Sequence, residues 1–349
     1  MQTSFIITAT PELEKAAVRE LQRLVADVTR VHGFAPGIFL IATERSQAEF
    51  IQAILQADPA FLKHMMPVQT EVALTSQRTT DLPAILGGAL SVDPLAPGEP
   101  FSVQCRRMGP RCDYKAKDVE VFVGSRFERA GAVPVFSDSE VMTHPDQKVI
   151  SVYLFDDRGY IGCSPVRENL NEHADEYRVL SRQSKVINRS ELKLLEALRK
   201  FRLDVGTGRA LDLGAAPGGW TRVLAKRGME VVAVDPGALD ERVAQLPTVT
   251  HIRGKAEEAA DLGTFDLLVN DMNVDPEPSA AITVQMAAHL RAEAPAIMTA
   301  KLATRHPERL LAKVRSRLSA GYDVIRMQSL FHNRRELTVL LRKKSADAR

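Results

Sequence analysis

The sequence predicts an α/β protein, with a mostly parallel, mixed β-sheet in its second half and an α+β region before it. First, short apolar stretches alternate with segments of helical periodicity through residues 189–344, which is typical of a parallel sheet covered by helices on both faces. Second, the last two predicted strands follow each other closely, so we expect them to be antiparallel neighbours. Third, residues 166–188 lose this periodicity and are rich in asparagine and charge, which indicates a connector.

The composition is that of an ordinary globular protein of two or three domains, with 349 residues of which 45% are hydrophobic and 26% charged. The apolar runs fall well short of the roughly 20 residues that a membrane span requires. The N-terminus lacks the basic start of a signal peptide, so we expect a cytoplasmic protein that does not enter a membrane. Three cysteines without a Cys-x-x-Cys pair agree with a reducing compartment.

Charge divides unevenly between the predicted domains, which are 1–165, the connector 166–188, and 189–344. Residues 1–180 hold 18 Lys and Arg against 24 Asp and Glu, whereas residues 181–349 hold 28 against 20. The second half is therefore the one that we expect to meet a polyanion.

Elements of the N-terminal region follow from apolar spacing and turn residues. Apolar residues recur at helical intervals after Pro11, which suits a first helical turn. The segment Asp156-Asp-Arg-Gly159 joins two apolar stretches and predicts a hairpin turn. The predicted strands are 4–8, 37–42, 68–74, 101–105, 149–155 and 160–163, and the predicted helices are 11–25, 47–56, 82–90 and 116–129.

The second half alternates more strictly between the two kinds of element. The predicted helices are 190–200, 218–227, 279–291 and 307–318, and the predicted strands are 210–213, 230–234, 249–252, 265–270, 296–299, 322–328 and 337–342. This order predicts a sheet that binds its ligand at the carboxyl ends of its strands.

The most informative segment is Ala210-Leu-Asp-Leu-Gly-Ala-Ala-Pro-Gly-Gly-Trp220, a strand followed by a turn of small residues and a helix start. Small residues let a ligand approach the backbone. The segment lacks the GxGxxG spacing of a dinucleotide site, and the chain has no GxxxxGK[ST] phosphate loop. Asp212 suits a cationic or amino-bearing ligand, and Asp235, after the next strand, suits ribose hydroxyls. A ligand with both properties is S-adenosylmethionine.

The stretch Asp212–Trp220 resembles the cofactor motif of FtsJ-type ribose 2′-O-methyltransferases. The resemblance implies a Rossmann-like methyltransferase fold with S-adenosylmethionine as cofactor. Ser190 could equally be a helix N-cap, and Trp220 could equally be core packing. The cofactor-binding residues that it implies are Ser190, Asp212, Gly214, Ala215, Ala216, Pro217, Gly218, Gly219, Trp220, Asp235 and Asp271.

The resemblance extends to a Lys-Asp-Lys-Glu catalytic tetrad. Its counterparts are Lys193 before the first strand, Asp271 and Lys301 after the fourth and fifth strands, and Glu336 at the last strand. We expect burial and the neighbouring Lys193 to lower the pKa of Lys301, so that it can act on a ribose 2′-hydroxyl. The two carboxylates would then orient the amines. Each of the four could instead be an exposed charge or a turn residue.

Within that family the sequence motifs are most similar to those of enzymes that modify a cytidine ribose in 23S ribosomal RNA. Examples are Val234-Asp-x-Gly237 and Leu330-Phe-His-x-Arg334. The resemblance implies that 23S ribosomal RNA or its precursor is the partner, and that the N-terminal region is a ferredoxin-like, THUMP-like RNA-binding region. Two basic clusters could track phosphates or could be solvated surface. They are Arg106, Arg107, Arg111, Lys115 and Lys117, and Arg178, Arg182, Lys185 and Arg189.

Other interpretations stay open at this point. Lys255 stands where the family often has an acidic adenine contact, so Lys255 and Glu257 are both candidates. His332 has no partner at metal-ligand spacing, and we expect no metal and a monomer. An oxidoreductase is disfavoured by the absent GxGxxG and by Pro217. Two alternatives stay open. One is a methyltransferase for another ribosomal or transfer RNA position, and the other is an RNA-binding assembly factor with an inactive methyltransferase fold.

Overall fold

The structure is a computed structural model that describes residues 2–93, 95–109, 112–135, 146–171, 186–256 and 262–345. The chain divides into two compact units, Met1–Val179 and Leu180–Arg349. The division falls inside the predicted connector, most of which lies outside the described residues.

The N-terminal unit opens with a four-stranded antiparallel sheet in the order β2-β3-β1-β4. Its sequence of elements, β-α-β-β-α-β, is the ferredoxin-like arrangement predicted for this region. Its elements are β1 (Thr3–Ala9), α1 (Glu14–Leu24), β2 (Thr29–Ala35), β3 (Ile38–Thr43), α2 (Gln47–Ala57) and β4 (Leu62–Val68).

A second, five-stranded sheet completes this unit, in the order β5-β9-β8-β6-β7. The hairpin between β8 and β9 turns at residues 156–157, as predicted. Both of its helices contribute to one apolar core with the sheet, through residues such as Ile85, Val123 and Ile150. Its elements are β5 (Thr70–Ala73), α3 (Arg78–Val92), β6 (Pro100–Met108), α4 (Ala116–Arg129), β7 (Val133–Pro134), β8 (Lys148–Phe155) and β9 (Arg158–Pro165).

Sequence analysis missed strands β2 and β4, and both omissions have a physical reason. Five of the seven residues of β2 are exposed, so the strand carries no alternation of apolar and polar side chains. Strand β4 contains Lys63, His64 and Pro67, which argue against a strand in isolation. It lies at the edge of its sheet, where a proline's missing N–H is tolerated.

The C-terminal unit is a seven-stranded sheet, which is mixed and mostly parallel as the sequence predicts. Its strand order is β12-β11-β10-β13-β14-β16-β15. Strand β16 is antiparallel to both of its neighbours, and the other paired strands are parallel. Its elements are α5 (Ser190–Lys200), β10 (Gly208–Leu213), α6 (Gly219–Lys226), β11 (Met229–Val234), α7 (Glu241–Ala244), β12 (Val249–Ile252), β13 (Leu267–Asn270), α8 (Pro276–Met286), β14 (Pro295–Lys301), α9 (Pro307–Leu318), β15 (Tyr322–Gln328) and β16 (Glu336–Lys343).

The central strands of this sheet are buried on both faces, because helices pack on each side. The carboxyl ends of β10, β11, β13 and β14 therefore meet at one edge. The reversed strand β16 begins at that same edge, and its first residue, Glu336, lies opposite Lys301. In the part of the chain that the structure describes, no helix has the length and apolar character needed to cross a membrane.

Candidate active site

Four charged side chains from four elements meet at the carboxyl edge of the seven-stranded sheet. Lys193 Nζ lies 2.5 Å from Glu336 Oε1 and 3.5 Å from Asp271 Oδ2. Lys301 Nζ lies 3.2 Å from Glu336 Oε2 and 3.3 Å from Asp271 Oδ1. Each lysine thus contacts both carboxylates, and the four groups form a closed ring of alternating charge. We call these four residues the tetrad ring.

Strand register explains why residues so distant in sequence converge. Lys301 and Glu336 are paired residues of the antiparallel strands β14 and β16, which places their Cβ atoms roughly 5 Å apart. Asp271 directly follows β13, the parallel neighbour of β14. Helix α5 supplies Lys193 from outside the sheet.

The tetrad ring is mostly withdrawn from solvent, and its charges control one another. Burial opposes the charge on Lys301, but Asp271 and Glu336 both contact its ammonium and raise its pKa above the ordinary value. Burial likewise opposes the charge on Glu336, yet the two lysines lower its pKa. Our expectation that the pKa of Lys301 is lowered is therefore wrong, because two carboxylates outweigh burial and the second cation.

Two further residues organise Asp271, and sequence analysis missed both. Thr299 Oγ1 donates a hydrogen bond to Asp271 Oδ1 at 2.6 Å. Asn270 is fully buried and holds the turn after β13, since its Oδ1 accepts from Met272 N at 3.0 Å. Thr299 lies two residues before Lys301, so the alternation of side chains along a strand puts both on one face and could have identified it.

In the turn between β10 and α6, neighbouring atoms occupy the space that a side chain at the glycine positions would need. Gly214 has a φ of 74°, and a Cβ there would lie 2.6 Å from Met272 Cα. Gly218 has a φ of 110°, and a Cβ there would lie 2.9 Å from Val243 Cγ1. The Ala216–Pro217 peptide bond is cis. Pro217 is exposed, whereas Ala215 is buried, so only part of the turn is open to a ligand.

Asp235 ties this turn to the end of β11. Its Oδ2 accepts from Ala216 N at 3.1 Å and its Oδ1 accepts from Gly237 N at 2.7 Å. A carboxylate has about four acceptor sites, so about two remain for hydroxyl groups of a ligand. The side chain is half-buried, and a contact to ribose hydroxyls stays its predicted role.

Asp212 is the unusual acid of the site. It is buried, its Oδ2 accepts from Thr221 Oγ1 at 2.6 Å, and its Oδ1 has no hydrogen-bond partner among the described residues. Burial raises the pKa of Asp212 to about 7, and the charges of Asp271 and Asp235 add to the effect. An unpartnered buried carboxyl oxygen beside a small-residue turn fits a ligand that brings positive charge or an N–H group.

The start of α5 is joined to the same turn. Ser190 Oγ donates to Asn188 Oδ1 at 2.7 Å, and Glu191 N donates to the same oxygen at 3.3 Å. Ser190 is the first residue of the helix and Arg189 occupies the N-cap position, so the N-cap role left open for Ser190 is wrong. Trp220 Nε1 donates to Ser190 O at 2.7 Å, and the ring is 2% exposed in the core behind the turn. Packing, one of the two roles left open for Trp220, is the role that this position serves.

The remaining sequence-predicted residues are exposed, make other contacts, or are outside the described residues. Lys255 is exposed beyond the end of β12. Arg107 Nη1 donates to Tyr114 O at 3.0 Å, and Lys117 pairs with Glu120 at 3.2 Å. Glu257, Arg111, Arg178, Arg182 and Lys185 are not among the described residues. Across the described ranges, no cluster of three or more His, Cys, Asp or Glu side chains could hold a metal ion.

Residues 186–332 match the family model of the FtsJ-like methyltransferases. An uncharacterized protein of Methanocaldococcus jannaschii is 31% identical over 189 residues, which cover 51% of this chain and 52% of that protein. Ribosomal RNA large subunit methyltransferase M of Halorhodospira halophila is 37% identical over 163 residues, which cover 45% of this chain and 47% of that enzyme. The chain thus spans about half the length of the curated relatives that it matches.

Among solved structures, TrmN from Thermus thermophilus aligns with 98% of this chain and 99% of its own, at 15% identity and a TM-score of 0.40. A likeness of that size carries no argument about architecture. The family match indicates S-adenosylmethionine as the cofactor of the C-terminal unit.

Replacing Gly214 by alanine should abolish cofactor binding, because the new Cβ would press on the backbone of Met272 and a positive φ is strained by about 1–2 kcal/mol for a side-chain-bearing residue. Isothermal titration with S-adenosylhomocysteine measures the loss. Gly206→Ala is the matched control, since a Cβ at Gly206 meets no atom within 4 Å. Undiminished binding by Gly214→Ala would contradict the assignment of this turn.

The raised pKa of Asp212 predicts a pH-dependent stability. A carboxyl that titrates near 4 when unfolded and at about 7 when folded favours folding at low pH, and that contribution is lost as the pH rises to about 7. Asp212→Asn cannot titrate, so its stability should not fall over this pH range. The free energy of unfolding of the variant minus that of wild type should therefore be higher at pH 8 than at pH 5, by about 2 kcal/mol. Urea denaturation of both proteins at both pH values tests this, and an equal difference at both would refute it.

Proposed function

We propose that this protein transfers a methyl group from S-adenosylmethionine to a ribose 2′-hydroxyl of RNA, which the match of residues 186–332 to the model of the FtsJ-like methyltransferases supports. The observation that carries the proposal is the closed tetrad ring next to the glycine turn. The two are adjoined directly, because Asp271 N donates to Leu213 O at 3.1 Å and Met272 packs against Gly214.

S-adenosylmethionine, when bound, supplies a methyl group on a positively charged sulfonium. The chain's residues that would hold it are the small residues of the turn, Asp235 with its two remaining acceptor sites, and the buried Asp212. Because the ligand is cationic, it would favour the ionised form of Asp212, whose charge is costly without a partner.

The tetrad ring would act on the ribose hydroxyl. Both lysines contact carboxylates, and Lys301 is held in its protonated form. A protonated ammonium can donate a hydrogen bond to the hydroxyl oxygen, which aligns its lone pair, but it cannot accept the hydroxyl proton. Proton transfer to Lys301 therefore requires that the lysine first lose its own proton. Asp271 and Glu336 hold the two amines in place throughout.

Exposed cations beside the tetrad ring support RNA as the substrate. Arg334 lies two residues before Glu336, and Arg305 lies four residues after Lys301. These two segments are joined, because Leu302 N donates to Arg335 O at 2.6 Å. Guanidinium groups there are suited to phosphates on either side of a nucleotide whose ribose enters the tetrad ring.

The specific substrate that we propose is a cytidine in 23S ribosomal RNA or its precursor. The relative from Halorhodospira halophila is named a ribosomal RNA large subunit methyltransferase, which supports the class of RNA. In this proposal the N-terminal unit is a THUMP-like region that captures structured RNA, and the protein acts in the cytoplasm as a monomer without a metal. An RNA-binding factor with an inactive fold is disfavoured, because all four members of the tetrad ring are present and in contact.

The experiment that tests the proposed function compares ribose methylation in RNA from cells with and without the gene. Mapping 2′-O-methyl groups across ribosomal and transfer RNA should reveal one site that disappears in the deletion strain and returns with the wild-type gene. Loss of a site in transfer RNA would replace the proposed substrate, and no lost site at all would reject the activity.

Replacing Lys301 by arginine should lower methyl transfer by about 10²-fold or more, because arginine cannot lose its proton. In the wild-type enzyme, the rate should keep rising through the alkaline range, since the carboxylates raise the pKa of Lys301 above its ordinary value. Transfer of tritiated methyl groups to RNA from the deletion strain measures both effects. Lys313→Arg, an exposed substitution on α9, is the control. Near-normal methylation by a folded Lys301→Arg protein would remove the lysine from the mechanism.

Removing the arginines beside the tetrad ring should weaken RNA binding and reduce its salt dependence. For Arg305→Ala with Arg334→Ala, the slope of log affinity against log salt should fall by about 1–2, because each phosphate contact contributes roughly 0.7–0.9. Binding of S-adenosylhomocysteine should be unchanged. Arg315→Ala with Arg317→Ala, in the last turn of α9, is the charge-matched control. An unaltered salt slope would place the RNA elsewhere.

A further inference from the structure

Glu196 is a buried carboxylate that none of the steps above uses. It lies three residues after Lys193 on α5 and is 1% exposed. Its Oε1 accepts from Phe331 N at 2.5 Å, and its Oε2 accepts from His332 N and from His332 Nδ1, both at 2.8 Å. Three N–H donors thus converge on one carboxylate inside the protein.

The segment that Glu196 holds leads directly into β16. Asn333 Oδ1 accepts from Leu330 N at 2.7 Å, which closes a turn, and from Thr338 Oγ1 at 3.1 Å, which ties that turn to the strand. Residues 330–333 are here called the β16 entry turn. Glu336, the first residue of β16, follows this turn by three positions.

The two ends of this connection carry two members of the tetrad ring. Helix α5 carries Lys193, about one helical turn from Glu196. The β16 entry turn precedes Glu336. The contact between Lys193 Nζ and Glu336 Oε1 is 2.5 Å, the shortest of the four in the tetrad ring. Its length depends on how α5 is placed against the start of β16, and Glu196 joins these two elements.

The chemistry of the connection suits a fixed spacing. A buried carboxylate is tolerated only when its oxygens are hydrogen-bonded, so it cannot move away from its donors without a large penalty. Burial opposes the charge on Glu196, but the hydrogen bonds from His332 and Phe331 lower its pKa. The bond from His332 Nδ1 also fixes the orientation of an imidazole that is 0% exposed.

We propose that Glu196 is a positioning residue of this methyltransferase: through the β16 entry turn, it sets the contact between Lys193 and Glu336. The inference rests on the proposed function, which defines the tetrad ring as catalytic. The hydrogen bonds of Glu196 go to Phe331 and His332, so its effect on the tetrad ring passes through the β16 entry turn.

The test replaces Glu196 by glutamine, which keeps the size of the side chain but places an NH2 group opposite N–H donors. We expect kcat to fall by about 10–100-fold, since small misplacements of catalytic groups have effects of this order. The affinity for S-adenosylhomocysteine should be unchanged. Adding Glu196→Gln to a Glu336→Gln protein should cause little further loss, because both substitutions act on one contact.

Two further variants separate positioning from stability. Tyr322→Phe removes a buried hydrogen bond to Thr283 O, of 2.9 Å. Tyr322 pairs with Lys343 at the end of β16 farthest from Glu336, so this variant should destabilise the fold while leaving kcat within about twofold. Thr338→Val cuts the tie between the β16 entry turn and its strand without disturbing Glu196. Thr338→Val should lower kcat as Glu196→Gln does. If Glu196→Gln does not fold, Thr338→Val still tests the positioning role.

A readout independent of activity is the titration of Glu336, followed by NMR of carboxyl-labelled protein. In wild type, Lys193 and Lys301 lower the pKa of Glu336. Loosening the contact with Lys193 should move it back towards the ordinary value in Glu196→Gln and Thr338→Val, but not in Tyr322→Phe. If the wild-type protein methylates RNA and Glu196→Gln changes neither kcat nor this titration, the positioning role is refuted. If wild type is inactive and the titration still shifts, the proposed function fails while the positioning role stands.

Discussion

The alternation of two lysines and two carboxylates in the tetrad ring is the interaction on which the site depends. Each charge is mostly buried, and burial alone would drive every one of the four towards its neutral form. Mutual contact reverses that tendency, as the raised pKa of Lys301 and the lowered pKa of Glu336 indicate. Removing one member would leave an uncompensated charge among the remaining three. The ring is therefore a condition for closing this edge of the sheet, besides the catalytic role that we propose for it.

The tetrad ring and the glycine turn are one structural unit because β13 lies next to β10. Asp271 N donates to the last carbonyl of β10, at Leu213, and the following residue, Met272, occupies the space that a side chain on Gly214 would need. Asn270 and Thr299 hold Asp271 between these contacts. A substitution in the glycine turn should consequently displace Asp271 in the tetrad ring. This coupling accounts for small residues at the turn beside a carboxylate that is held in place.

The mixed sheet could be predicted because periodicity is a local property of the sequence, and the tetrad because its motifs resemble those of a known family. The resemblance supplies Lys301 and Glu336, and the antiparallel register of β14 and β16 then pairs them. The sign of the pKa shift of Lys301 could not be predicted, because it depends on which charge comes closest in space. Strand β4 was missed for a related reason: Pro67 argues against a strand unless its place at a sheet edge is known. Likewise, Glu196 has no local signal, since its donors lie 135 and 136 residues away in sequence.

Two buried carboxyls of the C-terminal unit illustrate how the number of donors decides the charge of an acid. Glu196 accepts from three N–H groups and its pKa is lowered, whereas Asp212 accepts from one hydroxyl and its pKa rises to about 7. Burial acts on both in the same direction, so the difference comes from the partners. Glu196 has its full set of donors within the protein and is suited to hold two elements together. Asp212 lacks such a set, and its unpartnered oxygen beside the glycine turn is where the proposed function places a ligand that carries positive charge.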